Sequence, residues 1–232
     1  MTRTVKVKIC GIRRREDAWL AVDRGADAIG VLVGQHHPSP DFITAEEASA
    51  ILRHLPPFVS GVLVSHHDNP KDLLALIEQV RPAAVQIHSP MTPDHVAAVR
   101  HRHPALTLLK VVHANGPDPL STLRAYTELV DGVVADSCNP STGQVGGTGL
   151  PHDWSVSAEL VRHCGLPLIL AGGLTPTNVA AAIAQVGPWG VDVNSGVKGD
   201  DGFKSAPRLT EFIRRAREHH PVTNQSEIAQ SQ

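Results

Sequence analysis

Short aliphatic runs alternate with longer amphipathic segments along almost the whole chain, and this alternation restricts the fold more than any other feature. The runs fall at 5–9, 28–33, 59–64, 84–88, 106–113, 132–136, 166–171 and 189–194. Most are continuously apolar, the pattern of strands covered on both faces. Between them, apolar positions recur at helical spacing over 14–23, 45–54, 70–80, 93–102, 119–128, 154–162, 176–185 and 207–217. Several of these segments open on a capping residue followed by proline, as at Asn69-Pro70, Thr92-Pro93, Asp118-Pro119 and Thr175-Pro176. A capping side chain satisfies a free N–H of the first turn, and the fixed φ of proline suits the first helical position. Strict strand–helix alternation implies right-handed crossovers and a parallel sheet. Eight such units predict a (β/α)8 barrel; a doubly wound open sheet shares the alternation, and periodicity alone does not separate the two.

With 232 residues and no internal break in composition, the chain reads as one barrel domain over 1–218. The polar stretch 219–232 has no apolar period and is expected to be disordered. Aromatic residues make up only 3%, so the core must be built from Val, Ile, Leu and Ala. A formal charge of −2 supplies no concentrated basic surface, which argues against nucleic acid or an anionic membrane as partner. No apolar run approaches the roughly 20 residues of a membrane span, and no signal-peptide pattern opens the sequence, so a cytoplasmic protein is expected. The three cysteines, Cys10, Cys138 and Cys164, are far apart and form no CxxC pair. Neither a disulfide framework nor a zinc finger is implied.

Barrel active sites lie at the C-terminal ends of the strands. Those ends carry Cys10, Gly34, Ser65-His66-His67, His88, His113, Asp136, Gly172-Gly173 and Asn194-Ser195-Gly196, so polar and small residues gather at one end of an aliphatic set. Gly172-Gly173 and Ser195-Gly196 follow strands seven and eight, where barrels often bind phosphate through backbone N–H groups and a nearby helix start. Lys8 lies two residues before Cys10, on the same face of a strand, and its charge would lower the thiol pKa toward a reactive thiolate. Asp136 closes an apolar run, and desolvation there would raise its pKa into the range of a general acid. A thiol and an acid on separated strands can flank one substrate, removing a proton from one atom and supplying one to another.

These residues sit in motifs that resemble the phosphoribosylanthranilate isomerase family of tryptophan biosynthesis. The motifs are Lys8-Ile9-Cys10-Gly11-Ile12, Gly25-Ala26-Asp27-Ala28-Ile29-Gly30, Leu55-Pro56-Pro57-Phe58-Val59 and Val85-Gln86-Ile87-His88. Further along come Gly146-Gly147-Thr148-Gly149 with Asp153-Trp154, Ala171-Gly172-Gly173-Leu174 and Val191-Asp192-Val193-Asn194-Ser195-Gly196-Val197. The resemblance implies a ribulose-phosphate-binding barrel that performs, without metal or other cofactor, an aldose–ketose Amadori rearrangement of an N-linked 5-phosphoribose. It implies Cys10 as general base at C2 and Asp136 as general acid at the ring oxygen. Phosphate falls to Gly172, Gly173, Ser195 and Gly196, with Gly147 and Gly149 in the loop after strand six. Lys8, His88 and Asn194 complete the expected substrate contacts, and the assembly is expected to be a monomer or homodimer. One position departs: Asp41 stands where the family has an Arg facing the anthranilate carboxylate. An acid there predicts repulsion, with His36 or His37 as the replacement for the missing cation.

The histidines open another reading. His66, His88 and His113 end strands three, four and five, beside Asp136 on strand six. Three imidazoles and a carboxylate are a divalent-metal ligand set if they converge. The alternative is therefore a metal-dependent epimerase, isomerase or lyase acting on a phosphosugar; a non-catalytic phosphosugar-binding protein is a third.

Overall fold

All eight expected strands and all eight helices form. The structure, a computed structural model, describes residues 4–34, 39–137 and 153–218. In chain order these are β1 (Lys6–Ile9), α1 (Arg15–Asp23), β2 (Ala28–Val33), α2 (Ala45–Leu52), β3 (Ser60–Ser65), α3 (Pro70–Val80), β4 (Ala84–Ile87) and α4 (Pro93–Arg102). Then follow β5 (Thr107–His113), α5 (Pro119–Tyr126), β6 (Gly132–Asp136), α6 (Trp154–Cys164), β7 (Leu168–Leu170), α7 (Val179–Val186), β8 (Gly190–Val193) and α8 (Ala206–Arg217). Every strand pairs in parallel with its sequence neighbours, and β8 pairs back onto β1, closing the ring. Closure removes the open-sheet alternative. His36, His37, Cys138, Gly147, Gly149 and the stretch 219–232 lie outside the described residues.

Aliphatic side chains on the outward strand faces interlock with the helices in one continuous layer, as the low aromatic content requires. Within the ring, apolar packing splits in two: Leu109, Val111, Val134, Ile169 and Ala171 form one group, and Cys10, Val62, Val64 and Ala84 the other. Lys8, Gln86, Asp136 and Asp192 are also buried. At the closing seam Lys8 pairs in register with Asp192, and its Nζ donates to Asp192 Oδ2 at 2.7 Å. A bond this short between two buried charges compensates the desolvation that each suffers.

Capping chemistry behaves as anticipated at α3, α4 and α5, where Asn69, Thr92 and Asp118 accept backbone N–H bonds ahead of a proline. At α7 it does not. Thr175-Pro176 belongs to a turn, and the helix begins at Val179. Asn178 folds back instead, accepting from Thr175 N at 2.8 Å and donating to Gly173 O at 3.0 Å. Its side chain thereby braces the glycine turn after β7. The helix start expected directly behind Gly172-Gly173 is displaced toward the end of that turn.

Candidate active site

The C-terminal mouth of the barrel collects most of the expected residues. Lys8 in β1 and Cys10, one residue beyond its end, project to the same side, as period-two alternation predicts. Gly30 of β2 faces both: a Cβ there would lie 3.0 Å from Cys10 Sγ and 3.0 Å from Lys8 Nζ. The missing side chain is what lets thiol and ammonium share one space. Burial alone would lower the Lys8 pKa, but Asp192 and Cys10 outweigh it and hold the ammonium charged. For Cys10 the balance runs the other way from the expectation. Burial raises its pKa, and the Lys8 and Lys204 charges offset this only partly while Asp192 adds to it. The group is a buried thiol, not a preformed thiolate.

Asp136 closes β6, three strands from β1 round the ring. Burial pushes its pKa up to about 7, against the N–H of Ser137, which donates to Oδ1 at 2.7 Å. The expected desolvated acid is therefore present. The turn after β7 presses against it: a Cβ on Gly172 would come within 2.9 Å of Asp136 Oδ1 and 2.6 Å of Ser137 Oγ. Gly172 and Gly173 both have positive φ, at 82° and 64°, which glycine adopts without strain. The turn after β8 joins the same surface, since a Cβ on Gly196 would meet Leu174 O at 2.0 Å. Both glycine turns thus form one continuous backbone face next to the acid.

The rim histidines are neighbours, but their rings lie side by side at a tilt, 35° between His66 and His88 and 49° between His88 and His113. Ring centroids of His66 and His88 are 4.6 Å apart, and those of His88 and His113 are 5.7 Å apart. Phe42 meets His66 edge-on at 5.3 Å. Among the described residues no group of three or more His, Cys, Asp or Glu side chains is placed to hold a metal ion. Burial drives the His88 pKa well below its usual value, helped by His66, His113 and Lys110, and burial with Lys110 lowers His113 to about 4. Both imidazoles are neutral at physiological pH. His88 Nε2 and His113 Nδ1 are buried without a hydrogen-bond partner, and His88 Nε2 stands 3.9 Å from Asp136 Oδ2.

Lys110 works from the other side of the sheet. Its Nζ donates to Ser89 O and Val111 O, each at 2.9 Å, while Tyr126 Oη donates to Met91 O at 2.6 Å. Together they pin the loop that carries His88 into α4.

Asp41 is not left facing the mouth with a bare charge. Its Oδ1 accepts from Lys198 Nζ at 2.5 Å and its Oδ2 from Asn194 Nδ2 at 2.8 Å. Asn194 Oδ1 in turn accepts from Lys204 Nζ at 2.9 Å, and the side chain packs where Gly11 leaves room beside Cys10. Gly30, Asp192, Lys198 and Lys204 join the site although the sequence pattern gives none of them a site role. Asp192 had a signal, being two residues before Asn194 in a strand that is otherwise apolar. Lys198 and Lys204 had none, because irregular chain after β8 delivers them.

An acid and a thiol turned toward one mouth of a closed ring, both linked electrically to Lys8, define an α/β-barrel enzyme suited to proton transfer. The sequence profile of the N-(5'-phosphoribosyl)anthranilate (PRA) isomerase family matches residues 7–215, and the chain belongs to that family of isomerases. It is 40% identical over 213 residues to the N-(5'-phosphoribosyl)anthranilate isomerase 2 of Methanosarcina mazei, covering 92% of this chain and 94% of that protein. Its fold superposes on phosphoribosyl anthranilate isomerase from Thermotoga maritima with a TM-score of 0.79 at 33% identity, covering 91% and 98% of the two chains. Another solved structure of a phosphoribosyl anthranilate isomerase gives a TM-score of 0.76 at 31% identity with the same coverage. That protein was crystallised with reduced 1-(o-carboxyphenylamino)-1-deoxyribulose 5-phosphate.

Proposed function

We propose that this chain catalyses the Amadori rearrangement of N-(5'-phosphoribosyl)anthranilate to 1-(o-carboxyphenylamino)-1-deoxyribulose 5-phosphate, a step of tryptophan biosynthesis. The observation that carries this reading is Asp136: a carboxyl poised at about pH 7 can give up a proton at the pH where the cell works. Asp136 protonates the ring oxygen, the C1–O bond breaks, and the glycosidic nitrogen pushes in to form a C1=N iminium ion. Cys10 then takes the proton from C2, and the electron pair of that C–H bond neutralises the iminium as an enamine. Proton return to C1 and loss of the C2 hydroxyl proton complete the ketose.

The buried thiol fits this order. Burial favours the protonated thiol of Cys10; the iminium is a new positive charge close to it, which favours the thiolate at the moment a base is needed. Lys8 contributes throughout, because its charge lowers both the Cys10 and the Asp136 pKa. A substrate oxygen can bond to both His88 Nε2 and Asp136 Oδ2, and the glycine face of Gly172, Gly173, Ser195 and Gly196 receives the phosphate.

The test is turnover of N-(5'-phosphoribosyl)anthranilate by the full chain, followed by loss of anthranilate fluorescence. The unmodified protein is expected to turn over at the same rate with and without chelator. Cys10→Ala and Asp136→Asn are each expected to lower kcat by about 10³-fold or more. Activity that disappears with chelator and returns with a divalent ion would overturn the proposal in favour of the metal-dependent reading.

A further inference from the structure

We propose that Lys198 is the specificity-determining cation for the aglycone carboxylate, and that Asp41 holds it in position. This rests on the isomerase reading above, which gives the substrate an aromatic carboxylate at one end and a phosphate at the other. A carboxylate entering a low-dielectric mouth needs a charged hydrogen-bond donor to replace its water. Among the described residues of the β2–α2 loop, the position where the family resemblance expects an Arg carries the acid Asp41.

The geometry around Asp41 resolves this. Both of its oxygens are engaged, one by Lys198 and one by Asn194, and the residue is buried. An ammonium has three N–H donors. Among the described residues Asp41 is the acceptor bonded to Lys198 Nζ, and the Lys198 side chain is 17% exposed. Among those residues the other two donors of Lys198 have no further acceptor, and these are the donors assigned to the carboxylate. The pair as such is neutral, but Lys204 lies directly behind it on Asn194 and brings the cluster to a net positive charge.

Placement separates this cation from the phosphate turns. The Lys198 backbone follows the Ser195–Val197 turn after β8, yet its Nζ is drawn to a carboxylate in the loop after β2. In the ring order β7-β8-β1-β2, that pull is away from Gly172-Gly173 and across the position of Cys10. A cation carried by the chain after β8 thus stands beside the loop after β2, with Asp41 as its anchor.

Two ligands that differ only in the carboxylate provide the test: reduced 1-(o-carboxyphenylamino)-1-deoxyribulose 5-phosphate and its phenylamino counterpart, both measured by calorimetry on the full chain. The unmodified protein is expected to prefer the carboxylated ligand by about 10- to 100-fold. Lys198→Met should erase that preference while changing affinity for the phenylamino ligand less than about threefold. The double variant Asp41→Arg with Lys198→Glu inverts the pair and should restore a preference that Lys198→Glu alone lacks. Melting curves on each variant confirm that it folds. Equal loss on both ligands would overturn the proposal, since it would place Lys198 on the phosphate or in the fold; so would an undiminished preference in Lys198→Met. Turnover on N-(5'-phosphoribosyl)anthranilate, measured in parallel, keeps the readings apart. Turnover without a carboxylate preference removes the Lys198 assignment alone, and preference without turnover removes the isomerase reading alone.

Discussion

At the scale of single residues, the site depends as much on a missing side chain as on those present. Cys10 and Lys8 share the space that Gly30 leaves open on the neighbouring strand. Gly30→Ala would place a methyl 3.0 Å from both reactive atoms, so each must retreat by a few tenths of an ångström. Because reacting groups lose rate steeply when displaced, kcat should fall about tenfold while the melting temperature changes little. A variant with unchanged kcat would mean that the two side chains need not approach so closely. The placement of Cys10 and Asp136 at the mouth was legible in the sequence because each follows or closes an apolar strand, and strand ends face the mouth in a barrel. The protonation state of Cys10 was not. It depends on a contest between burial and charges from Lys204 and Asp192, which reach it from β8 and beyond.

At the scale of elements, caps carry both stability and placement. Thr44 and Glu47 form a reciprocal capping box at the start of α2: Glu47 N donates to Thr44 Oγ1 at 3.2 Å and Thr44 N donates to Glu47 Oε2 at 2.9 Å. The box lies three residues beyond Asp41 and ends the loop that carries it. Thr44→Ala should cost about 1 kcal/mol, seen as a lower urea midpoint at constant m-value. A midpoint unchanged within error would show that α2 is held by packing alone. Proline-flanked caps at α3, α4 and α5 were readable from local chemistry. The start of α7 was not, because Asn178 bonds back across the Gly173 turn, and a backward tie of this kind competes with the cap that Thr175-Pro176 offers.

At the scale of the whole molecule, buried ionisable groups at the mouth set the response to pH. His88 and His113 have pKa values below those of an unfolded chain. The unfolded chain binds their protons first, so stability falls as pH drops from about 6.5 toward 4. Asp136 has the opposite sign. Its pKa is raised to about 7, so the folded state binds the proton first and gains stability as pH falls through the same window. Each group contributes a slope of up to about 1.4 kcal/mol per pH unit. Two histidines against one acid predict a net loss of stability on acidification. Asp136→Asn removes the opposing contribution: it should melt higher than the parent chain at pH 8 and lose stability more steeply between pH 6.5 and 4. Melting temperatures of the two proteins across this range give the answer, and parallel curves would show that Asp136 is not held near 7.

The sequence by itself determined the strand–helix alternation, the aliphatic core and the end of each strand where chemistry would gather. All of these follow from local periodicity and from turn and cap residues acting over a few positions. It also carried the family motifs in order. Only the tertiary structure decided that the sheet closes, through pairing of β8 with β1 across 184 residues between Lys8 and Asp192. It decided too that the rim histidines lie side by side with tilted rings, and that Asp41 meets Lys198 rather than an open mouth. Long-range pairings of this kind leave no period in the chain. They are set by which side chains the closed ring brings within a few ångströms of one another, where burial strengthens every charge that remains.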